Sequence, residues 1–146
     1  MINLTDQQIK EIAELLDAGM VCYYNKKTGE IKSVIDFDSN PGADEELWED
    51  DIKELEDNDE DYIHFESYTS RESFEVMADF AENVDNTGLR KKLIYALNNR
   101  KPFQNFKWQI DNSGEYRQKW FDFKNNRYIE FVKDQLEAIN RSDDEG

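Results

Sequence analysis

Apolar residues recur along this chain with two periods. Ile9, Ile12, Ala13 and Leu16 follow the spacing of one helical face. Thr5-Asp6-Gln7-Gln8, just ahead of them, has the form of a capping box, in which the Thr5 hydroxyl accepts from the Gln8 amide and the Gln8 side chain reaches back. The pattern predicts an amphipathic helix over 6–17, ended by Gly19. Met20 to Asn25 and Ile31 to Phe37 are then rich in β-branched and aromatic residues. They flank Lys27-Thr28-Gly29-Glu30, which reads as a hairpin with Gly29 supplying a positive φ. Ser39-Asn40-Pro41-Gly42 reads as a turn. Leu47, Trp48, Ile52 and Leu55 give a narrow apolar stripe to a helix over about 44–57, and Tyr62-Ile63-His64-Phe65 is a third strand candidate.

The second half of the chain reads as helical. Ser70 is expected to cap a helix that buries Phe74, Met77, Ala78, Ala81 and Val84, broken by Asn86-Thr87-Gly88. Leu89, Leu93, Ala96 and Leu97 mark another, ended by Asn98-Asn99 and Pro102. Phe103, Phe106 and Ile110 suggest a short helix. After Asn112-Ser113-Gly114, a last helix is expected over about 115–139, bent at Asn125-Asn126. Its broad face holds Phe121, Tyr128, Val132, Leu136 and Ile139. This order is α+β: a small antiparallel sheet of two to four strands with five or six helices and a helix-rich C-terminal half. No repeat or linker interrupts it, so residues 1–141 are expected to form a single domain, with 142–146 an acidic polar tail.

Composition adds partners to this picture. The net charge is −16, unevenly spread. From Asp36 to Asp61 there are fourteen acids and one base, Lys53, whereas from Asn86 to Arg141 there are twelve bases and six acids. Overall acidity argues against non-specific nucleic-acid binding. The C-terminal bases, however, are interleaved with Phe103, Phe106, Trp108, Trp120 and Phe123, the combination a single-strand groove uses. Rings as core and charges as solvated face is the other reading. The acidic stretch reads as a solvated helix face or as a docking surface for a basic partner. Asp36-x-Asp38-x-Asn40 begins like a calcium loop, but Pro41 and Leu47 stand where the loop needs Gly and Glu.

Catalytic patterns are missing. Cys22 is the one cysteine, set in an apolar run, and reads as a small buried hydrophobe. His64 is the one histidine. No Gly-x-Ser-x-Gly elbow or Gly-rich phosphate loop is present. The expectation is no enzyme and no cofactor, with a carboxylate-metal hydrolase left open by the abundance of acids. No basic-flanked apolar leader or membrane-length apolar run occurs, so a cytoplasmic protein without membrane contact is expected.

Three stretches carry a family resemblance: Tyr24 through Thr28-Gly29-Glu30; Leu93 through Leu97 with Phe103-x-x-Phe106-Lys107; and Trp120-Phe121-x-Phe123-Lys124. In these the chain resembles the uncharacterised bacterial protein family UPF0158, over roughly residues 7–139. Asn98-Asn99 and Trp108-Gln109 depart from the expected pattern. The resemblance implies a small cytoplasmic bacterial protein of unassigned function and supplies no catalytic residue.

The sequence therefore reads as a non-enzymatic binding or regulatory module that recognises a protein partner by charge complementarity. The candidate recognition surface is Phe103, Phe106, Lys107, Trp120, Phe123 and Lys124, with one of Phe121 and Phe123 expected to be exposed. The candidate acidic docking surface is Glu45, Glu46, Glu49 and Asp50. The alternative is a nucleic-acid-associated protein using the basic-aromatic half. A homodimer is compatible with opposite charges on one chain.

Overall fold

The structure, a computed structural model, describes residues 2–37 and 40–145, with side chains to Ser142. Asp38 of the calcium-loop pattern and Ser39 of the predicted turn lie outside the described residues. Helix α1 (Asp6–Asp17) begins at the expected capping box on Thr5 and Gln8 and buries the expected stripe, Ile9, Ile12, Ala13 and Leu16. Strands β1 (Met20–Asn25), β2 (Ile31–Ile35) and β3 (Tyr62–Phe65) form an antiparallel sheet in the order β2-β1-β3. Gly29 closes the β1–β2 turn at φ +76°, as its position required. Strand β2 ends two residues short of the predicted Phe37.

The acidic stretch is helical, as expected, but in pieces. A 3-10 turn (Glu45–Trp48) leads into α2 (Glu49–Asp57), and a second 3-10 turn (Asp59–Asp61) delivers the chain to β3. After β3 come α3 (Ser70–Glu82), α4 (Thr87–Leu97), α5 (Pro102–Asp111) and α6 (Tyr116–Glu145). The fold is α+β with a helix-rich C-terminal half.

The chain divides into two compact units. The first comprises residues 1–67 and 128–146, the second residues 68–127. In the first, strand alternation decides the core. Cys22 and its partner Phe65, with Ile63, point to one face and are buried with the stripe of α1. The Cys22 thiol lies 4.0 Å from the Ile12 carbonyl. Burial pushes this thiol up to about 12, so it stays protonated and packs as a small hydrophobe. The end of α6 joins this unit through two amide clasps. Gln135 accepts from the Glu66 amide and donates to the Glu66 carbonyl, both at 2.9 Å. Asn140 does the same for Ile2, at 2.8 and 2.9 Å.

In the second unit Val76, Met77, Phe80, Ala81, Val84, Leu89, Leu93, Leu97, Phe106, Ile110 and Trp120 form one core. Trp120 sits edge-on to Phe80 and Phe106, with centroids 5.3 and 5.0 Å away. Several expectations are corrected here. Thr69, not Ser70, caps α3, through a full capping box with Glu72. The predicted buried face of α3 holds at Met77, Ala81 and, just past the helix end, Val84, but Val76 and Phe80 complete it, with Phe74 and Ala78 only half-buried. Asn86 caps α4 instead of ending α3, accepting from the Leu89 amide at 3.0 Å. Helix α6 runs through Asn125-Asn126 without a break and continues past Ile139 to Glu145.

The caps allow a paired test. Thr69→Ala should destabilise the protein by about 1 kcal/mol in urea unfolding. Ser70→Ala, at the first helical position, should change it by less than about 0.5 kcal/mol. The reverse ranking would show that the capping box is not what starts α3.

Candidate functional site

The sheet's second face, opposite Cys22, carries Val21 and Tyr23 of β1, Lys32 and Val34 of β2, and Tyr62 and His64 of β3. Helix α2 lies over it. Lys32, its side chain only 17% exposed, reaches across to Asp51 at 2.9 Å and to Glu54. The Tyr62 hydroxyl also donates to Glu54, at 3.0 Å. The Lys32 ammonium and then the Tyr62 hydroxyl hold Glu54 below the usual carboxylate range. The same carboxylates, Glu54 before Asp51, hold Lys32 above the ordinary lysine value.

Between α2 and the sheet remains an open groove of about 470 Å³. Its floor is aromatic. Tyr23 and His64 stack with centroids 4.7 Å apart and planes 8° from parallel, and Tyr62 meets Tyr23 edge-on at 6.5 Å. Val21, Ile35, Phe37, Ile52 and Leu55 supply apolar walls, and Asp36, Glu56 and Asp59 supply carboxylates. Burial pushes the Tyr23 hydroxyl above its ordinary value, and Asp36 and Asp59 push it the same way, so the groove sits in a negative field. His64 is exposed, its Nδ1 3.9 Å from Glu66.

The predicted acidic surface is partly gathered. Glu45, Glu46 and Glu49 line a neighbouring hollow of about 530 Å³ with Ile52, Lys53 and Glu56. Ile52 and Glu56 border both hollows. Asp50 is exposed but lines neither. Among the described residues no three His, Cys, Asp or Glu side chains are grouped as metal ligands.

The predicted recognition set in the second unit is not one surface. Phe106 and Trp120 are core, 1% and 8% exposed, because they fill the space between α3, α5 and α6. Phe123 is half-buried against Phe80 and Trp120. Lys124 lies over the Trp120 and Phe121 rings. Phe103 and Lys107 alone of the six are exposed. Phe121 and Phe123 are both half-buried, so neither is the exposed ring the sequence led us to expect. The exposed rings are Tyr95, Phe103 and Trp108. Tyr23, Tyr62 and His64 were not singled out together by sequence. Their shared strand parity was available, but their register across β1 and β3 was not.

The model of the uncharacterised protein family UPF0158 matches residues 1–142. A UPF0158 protein of Pseudomonas aeruginosa is 31% identical over 83 residues, 57% of this chain and 54% of that protein. The match thus spans about half the length of that curated relative. No solved structure matches the chain. Among the described residues no helix is long and apolar enough to cross a membrane.

The groove depends on Lys32. Helix α2 has nine residues, too few to hold itself in water. Lys32→Met should raise amide exchange across residues 49–57 by about tenfold or more while leaving the β1–β3 amides protected. The pH limits follow from the shifts. The Glu54 contribution is complete above the ordinary carboxylate value of about 4.3 and is lost as pH falls through its lower folded value. The Lys32 contribution is complete below about 10.4 and is lost as pH rises through its higher folded value. Unchanged exchange in Lys32→Met at neutral pH would contradict this anchoring.

Proposed function

The chain belongs to the uncharacterised protein family UPF0158, and from that premise we propose that it is a non-catalytic binding module for a basic segment of a protein partner. The binding site is the groove between α2 and the sheet, with the hollow of Glu45, Glu46 and Glu49 extending it. The observation that carries the reading is the Tyr23–His64 stack set beneath carboxylates and aliphatic walls. A guanidinium or ammonium gains from ring faces and from nearby carboxylates together. Its aliphatic stem gains from Val21, Ile35 and Ile52. The first unit has 26 acids and 7 bases, a field that attracts a basic segment and repels nucleic-acid backbones.

The test is fluorescence anisotropy with a labelled arginine-rich peptide and its citrulline analogue. The arginine peptide should bind, and salt should weaken it, because its approach is steered by charge. Tyr23→Ala should weaken binding about tenfold. Glu56→Lys should weaken it and reduce its salt dependence. Equal binding of the neutral analogue, or full affinity in a folded Tyr23→Ala protein, would contradict the reading.

A further inference from the structure

The second unit carries a surface that the groove leaves unused. From Asn86 to Ile110 there are six bases and no acid. The segment comprises the cap of α4, α4 itself, the four residues joining it to α5, and α5 up to Ile110, the residue before its last, Asp111. Arg90 is engaged, its Nε donating to the Val84 carbonyl at 3.0 Å. Lys91, Lys92, Arg100, Lys101 and Lys107 are exposed and make no ion pair among the described residues. Other bases of the unit are occupied. Arg117 pairs with Asp111, Arg127 with Asp79 and Arg71 with Glu75, while Lys119 and Lys124 lie over rings. Unspent positive charge therefore collects on α4 and α5.

Rings collect there too. Tyr95 is 71% exposed, Trp108 62% and Phe103 43%, and none has a ring partner among the described residues. Helical spacing sets Lys91 beside Tyr95 and Phe103 beside Lys107, each pair four residues apart. At the junction, Lys101 is the one described non-glycine residue with positive φ, at 53°. A lysine in this conformation is strained, and the chain holds it where glycine or asparagine would be easier.

We propose that the α4–α5 face binds single-stranded nucleic acid, with Lys91, Lys92, Arg100, Lys101 and Lys107 on the phosphates and Tyr95 and Trp108 stacked on bases. Single strands need both parts: point charges that track the backbone and ring faces that accept any base. Four of the five free cations are lysines, which protein interfaces deplete in their cores. A duplex offers no unstacked base to these rings. The proposal is independent of the groove in the first unit and uses none of its residues.

The test is anisotropy with a labelled oligouridine of about 15 nucleotides, titrated at several salt concentrations from about 50 mM upward. With five phosphates neutralised, log K should fall against log salt with a slope of about −3.5. The double variant Lys91→Glu/Lys107→Glu should weaken binding at least tenfold and flatten the slope by about 1.4. Trp108→Ala should cost about tenfold while leaving the slope nearly unchanged. Far-UV circular dichroism and thermal melts verify that these surface variants fold. No binding at the lowest salt, or binding indifferent to all three substitutions, would overturn the proposal. Salt-sensitive self-association that the double variant abolishes, without oligouridine binding, would overturn it in favour of a second copy's acidic surface.

Discussion

The first unit is organised around a conflict between like charges. Fourteen acids between Asp36 and Asp61 repel one another, and the stretch contains one base, Lys53. A short helix with that charge gains its place from outside. Lys32 supplies it from β2, at a register position opposite Tyr23. Because strand side chains alternate, this register puts Lys32 on the face of Val34, Tyr23 and His64, away from Cys22 and α1. Desolvating the ammonium is costly, and two carboxylates at hydrogen-bonding distance offset that cost. The helix that results stands over the sheet without closing on it. The groove is the space left between them.

Charge separates by unit as well as by sequence. The second unit has eleven bases and eight acids, a net +3, against −19 for the first. What matters for recognition is which of these charges remain available. Along α6 the four bases from Arg117 to Arg127 are spent on local rings and carboxylates, so the stretch that looks most like a basic-aromatic groove in sequence is mostly internal packing. In the second unit the free cations lie earlier, on α4, α5 and the residues joining them. At physiological ionic strength screening acts over about 8 Å, so a local basic face can act despite a negative chain.

Much of the fold was legible because local signals agreed. The capping box on Thr5, the apolar stripe of α1 and Gly29 in the hairpin each have a direct structural outcome. The Thr69-x-x-Glu72 signature was equally readable, yet the neighbouring Ser70 competes as a cap in sequence. Phe74 and Phe80 both suit a buried face of α3, and packing chose Phe80. The absence of a break at Asn125-Asn126 has a simple reason. Asparagine costs a helix only a fraction of a kcal/mol, about 0.7 at most, far less than proline. Lys101 was hidden because a left-handed lysine leaves no mark in composition. The site was the least legible part. Tyr23, Tyr62 and His64 meet only through strand pairing between segments about forty residues apart, and Lys32 meets α2 only through tertiary docking.

The central claim is that basic segments are received by the ring-floored groove of the acidic unit. Backbone chemical shifts, followed while an arginine-rich peptide is titrated into labelled protein, test it most directly. The account predicts that resonances of Tyr23, Ile52, Glu56 and His64 move together and saturate, while those of α4 and α5 stay in place. Shifts spread evenly over every acidic residue, or confined outside the groove, would contradict it.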